Sequence, residues 1–306
     1  MNRAHRLRAI LATALCLLTG PAQAHGPLHG EIEAIGGELS RNPGNATLLL
    51  HRAELYRLDG NPTAARDDLA EAARTSPAPD GLEWTRSRVY LDLGKTTDAL
   101  RDLNRWLDRH PRHGPGLTLR AEILERTGDL PSAVHDYTRA IAVTVPPSPD
   151  LYLARARVQR RMGTDPARDA LRGLDEGMAH LGMLVTLQLE AISLEEFLGR
   201  TDEALARVDA MNRKASRHER WLVRRAELQA RAGRPEEATR SWREALDACQ
   251  ALPERIRSLP ATRELEDRIR TNLAELPLRA STHTAVAGSP VNPGIRVLPE
   301  GTVLTP

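Results

Sequence analysis

Six glycines keep a near-constant interval through the middle of this chain. Gly60, Gly94, Gly128, Gly163, Gly199 and Gly233 are separated by 34, 34, 35, 36 and 34 residues. Other positions travel with them. Seven residues earlier stand Ala53, Ser87, Ala121, Ala156, Ile192 and Ala226. Five later stand Ala65, Ala99, Ala133, Ala204 and Ala238, with Ala167 four later in the fourth copy. Nine later come Leu69, Leu103, Tyr137, Val208 and Trp242, with Leu171 one residue early. A period of this length specifies an array of small stacked units rather than one globular core.

Apolar residues recur at helical spacing on both sides of each glycine, so each unit is two amphipathic helices. The glycine closes the first helix in a left-handed conformation that costs other residues about 1–2 kcal/mol. Asn61-Pro62, Asp129 with Pro131, Asp165-Pro166 and Thr201-Asp202 supply caps and first-turn residues for the second helix. Small residues flanking the turn let the paired helices approach closely. Pro77, Pro111 and Pro146 end the first three units.

The pattern resembles the tetratricopeptide repeat (TPR): small residue, aromatic (Tyr56, Tyr90), glycine, alanine, large apolar residue, small residue (Ala72, Ala140, Ala245), proline. The resemblance spans residues 46–250 as six repeats. It implies an all-α, right-handed α-α superhelical solenoid of helix hairpins. Departures fall late in the array. Unit four has an extra residue before its glycine, and unit five has Ile192 and Glu195 where a small residue and an aromatic are usual.

Stacked repeats need covers at both ends. Leu28, Ile32, Ile35 and Leu39 share one stripe of a covering helix within residues 25–45. Leu265, Ile269, Leu273 and Leu276 do the same for a closing helix within 251–276. From Pro277 to residue 306 the chain is rich in Pro, Gly, Thr and Ser, which predicts a disordered tail.

In the TPR family the first helices line a groove that holds a peptide or a partner's helix. By register this implies binding positions Glu54, Arg57, Trp84, Arg88, Glu122, Arg157, Arg160, Arg161, Phe197 and Glu227. Trp84 stands out as an aromatic anchor; the alternative, one residue out of register, is a place in the core. Arg157, Arg160 and Arg161 form a cluster suited to carboxylates or phosphates through forked hydrogen bonds. The alternative for these arginines is an ordinary solvated face with nearby glutamates. The ninth positions of the repeats carry no asparagine, which disfavours the carboxylate-clamping mode of the chaperone-binding members.

The first residues, MNRAHRLR, are basic, and AILATALCLLTG and PAQA follow. A basic start, a short apolar run and an Ala-x-Ala ending predict a secretory signal peptide over residues 1–24, cleaved after Ala24. The protein is therefore expected in the periplasm or outside the cell, with no membrane span once the signal is gone. Cleavage takes three arginines and no acid from the 43 basic and 41 acidic residues, leaving 40 against 41. That near-neutral balance gives no electrostatic footprint for nucleic acid. Only Cys249 remains after cleavage, so no internal disulfide forms.

No nucleophile elbow, phosphate-binding glycine loop, His-Glu-x-x-His, paired cysteines or calcium loop occurs in the sequence. This points away from an enzyme and from any bound cofactor. His110 and His113, at a junction between units, read as exposed linker residues. Trp106, Trp221 and Trp242 read as core or inter-repeat packing. His25 and His29 raise a second reading, because a free N-terminal histidine chelates copper through amine and imidazole. Pro27 lacks the amide hydrogen that a peptide-nitrogen chelate needs. The expected function is an exported, non-catalytic scaffold for another protein in the cell envelope. The alternatives are copper binding at His25 and His29, or a receptor for anions at the arginine cluster.

Overall fold

The computed structural model describes residues 27–75 and 77–287, with side chains for 28–75 and 77–275. Among them are fifteen helices and no strand. Twelve succeed one another as helix–turn–helix units. These are α2 (Ala46–Leu58) and α3 (Pro62–Ala72), α4 (Leu82–Asp92) and α5 (Thr96–Arg109), α6 (Gly114–Thr127) and α7 (Leu130–Val143), α8 (Pro149–Arg161) and α9 (Thr164–Leu181), α10 (Val185–Phe197) and α11 (Thr201–Lys214), and α12 (Glu219–Arg231) and α13 (Pro235–Gln250). α1 (Pro27–Arg41) precedes them; α14 (Glu254–Arg257) and α15 (Pro260–Ala287) follow. The chain divides into two compact units, one ending at Val158 and one starting at Gln159.

The register of the glycines is a register of turns. All six have positive φ, between 70° and 118°, and no other residue type among the described residues does. Asn61 and Asp129 each accept a backbone N–H through Oδ1, from Ala64 at 3.1 Å and from Ser132 at 3.2 Å, capping α3 and α7. α11 starts differently: Arg200 is its N-cap and makes no side-chain cap, while Thr201 is its first helical residue. The small residues before and after the turns, Ala53, Ser87, Ala121, Ala65, Ala99 and Ala133, are fully buried. Leu69, Leu103 and Tyr137 fill the same place in successive hairpins of the first unit. Ile192, Ala204 and Val208, then Ala226, Ala238 and Trp242, do so in the second.

A second periodicity lies inside the hairpins of the first unit. Arg52, Arg86 and Arg120 each fork onto Asp68, Asp102 and Asp136 of the paired helix. Nε and Nη2 reach the two carboxylate oxygens at 2.6–2.8 Å. The aspartates are buried and the arginines half-buried, so each pair replaces lost hydration with two charge-assisted hydrogen bonds. The second unit does not keep this clamp. Arg225 meets Ser241 Oγ at 3.0 Å instead of an aspartate. In the fifth repeat the charge is on the other helix: Arg207 of α11 donates to buried Glu195 at 2.6 Å and pairs with Asp175 at 2.9 Å.

Two ends close the stacks. Ile32, Ile35 and Leu39 of α1 are buried with Leu49, Ala53 and Leu55 of α2. Ile269 of α15 is fully buried in a cluster with Trp242, Ala245 and Cys249 of α13, with Leu265 and Leu273 packed against it. α15 runs on to Ala287, past Pro277, where the sequence predicts the tail to begin. A proline removes one N–H bond and bends a helix without obliging it to stop. Residues 1–24, His25 and residues 288–306 lie outside the described residues.

Candidate interaction surfaces

In the first unit, the positions that the register assigns to the groove are tied to one another. Arg57 forks onto Glu54 at 3.0 and 3.1 Å and approaches Asp92 at 3.4 Å. Arg88 also reaches Glu54. Burial works to raise the Glu54 pKa, but the guanidiniums of Arg57 and Arg88 overcome it and hold the carboxyl below its ordinary range. Four charges on α2 and α4 thus largely neutralise each other.

Beside them is a hollow of about 520 Å³, lined among others by Trp84, Arg88, Pro115, Leu119, Glu122 and Leu151. Trp84 is half-buried, with the Arg88 guanidinium 5.0 Å above its ring. Burial raises the pKa of Glu122; Arg126 opposes that and Glu125 adds to it.

His113 corrects the expectation of an exposed linker histidine. It is half-buried, and its Nδ1 accepts from the Gly116 backbone N–H and from Trp106 Nε1–H, both at 3.0 Å. It is the N-cap of α6. Two donors on one nitrogen require the unprotonated Nδ1, which places the hydrogen of the neutral ring on Nε2. The ring edge also meets Trp84 at a centroid distance of 4.8 Å. Buried Trp106 stacks on His110 at 3.7 Å, and His110 lies 3.4 Å from Asp80.

The arginines of α8 take separate paths. Arg157 and Arg161 are exposed, whereas Arg160 is half-buried and donates to Ser193 Oγ at 3.0 Å. His29 on α1 pairs with Glu33 at 3.1 Å. Among the described residues, no group of three or more His, Cys, Asp and Glu is placed to hold a metal.

In the second unit the first-helix face is more open. A hollow of about 810 Å³ lies between α10, α12 and the start of α15. Val185 and Leu189 of α10, Trp221 of α12 and Leu265 of α15 supply its apolar surface. Val185 is 48% and Leu189 43% exposed, large values for aliphatic side chains inside a concavity. Phe197, also on α10, is 47% exposed but does not line this hollow. Trp221 corrects the expectation of simple packing: it packs against the α10–α11 cluster and also lines the hollow.

Around this surface stand Arg217, Arg220, Arg224 and Arg268, against Glu227 and Glu264. Glu227 pairs with Arg268 and, at 3.7 Å, with Arg224. Arg224 also donates to Glu196 at 3.2 Å, and Arg217 to buried Glu219 at 2.6 Å. Arg220 is exposed and makes no ion pair or hydrogen bond among the described residues. Desolvation lowers the pKa of Arg224, and the neighbouring charges of Arg231 and Arg268 lower it further against the pull of Glu196.

Helix hairpins of this geometry, repeated at this interval, define the class, and comparison with known proteins agrees. The family model described as tetratricopeptide repeat matches residues 85–164. The C-terminal part of a TPR repeat-containing protein from Cytophaga hutchinsonii superposes with a TM-score of 0.60 at 12% identity, covering 75% of this chain and 93% of that one. The Naa15/Naa10 structure bound to HypK-THB superposes with a TM-score of 0.50 at 13% identity, covering 79% of this chain and 36% of that one. A search of curated proteins finds no match. The chain has the fold of tetratricopeptide-repeat proteins, with the repeat itself recognised over residues 85–164. No helix among the described residues is long and apolar enough to cross a membrane.

Proposed function

We propose that this protein is an exported, non-catalytic scaffold that holds a protein partner on the first-helix faces of its repeats in the bacterial cell envelope. The observation that carries the reading is the open, partly apolar face of α10 and α12. Val185 and Leu189 stay exposed there although the surrounding hairpins bury their own apolar residues. Exposed aliphatic side chains gathered in a concavity mark an interaction site more often than a surface feature without a role. The basic, apolar and Ala-x-Ala run over residues 1–24 supports export.

Cross-linking in the producing cell, followed by mass spectrometry, tests the scaffold. It should recover an envelope protein linked to α10 or α12, and recovery of no specific partner would contradict the reading. N-terminal sequencing of the secreted or periplasmic protein tests export and should begin at His25. An intact Met1 would overturn that part alone.

A further inference from the structure

We propose that His113 is an acid-released latch between the second and third repeats, its Nδ1 holding one donor from each only while it carries no proton. The ring sits where α5 hands over to α6. Buried Trp106 of α5 and the Gly116 backbone of α6 both donate to Nδ1, at 3.0 Å each. An added proton turns that acceptor into a third donor facing the other two, so both bonds are lost together. The turn it caps is closely seated: a Cβ at Gly114 would lie 2.9 Å from Thr144 Oγ1. Gly114 and Pro115 also wall the hollow of about 520 Å³, so release of the cap reshapes it.

The charges around the ring act against its protonation. From α4, Arg88 faces it with a like charge and is itself paired with Glu54. His110, at the end of α5, adds another like charge when protonated and lies 3.4 Å from Asp80. Glu122 of α6 and Asp150 of α8 line the same hollow, and Val143 and Thr144 bring no charge from the end of α7. Burial, then His110 and Arg88, hold the His113 pKa below its ordinary value. His218 shows the opposite arrangement at the N-cap of α12. Its Nδ1 lies 3.1 Å from the Asn212 carbonyl oxygen and 3.0 Å from Asn212 Oδ1, which a ring N–H satisfies whether or not the ring is charged. Asn45 caps α2 through Oδ1, which takes up no proton in this range. Of these three caps, the one at His113 is the acid-sensitive one.

The test is hydrogen exchange of the full chain by mass spectrometry from about pH 7.5 to about pH 5, corrected for the intrinsic pH dependence of exchange. Opening of the first turn of α6 should be constant above about pH 6.5. Below that it should rise about tenfold per pH unit until the folded-state pKa is passed, because the released ring titrates at its ordinary value. His113→Asn should flatten the profile, and His218→Asn should leave it unchanged. In the parent, nitrogen NMR should find His113 Nδ1 without a proton at neutral pH, and the ring should titrate where the opening levels off. A flat parent profile, a rise that survives His113→Asn, or a ring protonated on Nδ1 at neutral pH overturns the latch. An acid response spread equally over α2, α3, α6 and α7 overturns it too, since that would be a general weakening of the first unit.

Discussion

The two compact units are built from the same hairpin yet differ in how regularly they place charge inside it. In the first, three consecutive hairpins repeat one buried Arg–Asp fork, and the first-helix charges pair among themselves. In the second, the fork survives only as Arg225 on Ser241, and the fifth repeat shifts its arginine to α11. Regular units serve stacking, because any hairpin then fits the next. The second unit, where the period breaks, is also the one that carries a hollow with exposed aliphatic residues.

That contrast can be broken most sharply at the forks. Asp136 is 1% exposed, and Asp136→Ala takes the forked carboxylate from the half-buried Arg120, leaving it only its bond to Asn104 Oδ1 at 2.9 Å. The expected loss is about 3 kcal/mol. It should be read as lost hydrogen-exchange protection over α6 and α7, since repeat arrays open locally. Glu244→Ala removes an exposed partner of Arg225 and should cost under about 0.5 kcal/mol. Equal losses at the two sites would end the distinction between the units.

The α6 cap offers a test of intermediate size. A Cβ on Gly116 would lie 2.7 Å from His113 Nδ1 and 3.1 Å from Leu107 Cδ2. Gly116→Ala should therefore cost about 1–2 kcal/mol by forcing the cap apart. Titration of His113 perturbs the same place more gently. Burial, then the charges of His110 and Arg88, lower its pKa from the ordinary 6.5. The folded state thus favours the neutral ring more than the unfolded state does. Its contribution is complete above about pH 6.5 and fades as the pH falls through the folded value. Denaturant midpoints of the parent should drop over this acidic range more than those of His113→Asn, which keeps a cap acceptor without a titrating ring. Parallel pH profiles would refute the role given to His113.

The smallest stability effect belongs to the second unit's open face. Leu189→Ser should change stability by under about 0.5 kcal/mol, because the side chain is already 43% exposed. A loss as large as that at Asp136 would make Leu189 a packing residue and remove it from the site.

The hairpins are legible in the sequence because their markers are local. A glycine at the end of a helix and small residues seven before and five after it report turn and close approach without reference to the rest of the chain. The Arg–Asp forks are equally periodic, with Arg52, Arg86 and Arg120 at intervals of 34 and Asp68, Asp102 and Asp136 likewise. A charge at helical spacing nonetheless reads as a solvated face, and only the burial of the aspartates reveals a clamp. His113 is missed for a related reason: besides its local cap on Gly116, its Nδ1 accepts from Trp106 on the preceding helix, and that packing is what takes it out of solvent. The hollow in the second unit brings Val185 and Leu189 of α10 together with Leu265 and Arg268 of α15, segments far apart in the chain that no local pattern joins. Of the groove positions taken from register, Trp84, Arg88 and Glu122 line the hollow of the first unit, and Glu227 that of the second. Arg220 and Arg268 are reached only through the structure.

The central claim is that this protein acts by holding a partner against the face of α10 and α12. The most direct measurement installs a photo-cross-linking amino acid at Leu189, and separately at exposed Arg243 on α13, in the producing cell. The account expects a discrete covalent adduct with another protein from position 189 and none from position 243. Adducts of equal yield from both positions, or none from Leu189 while the protein is folded and abundant, would contradict it.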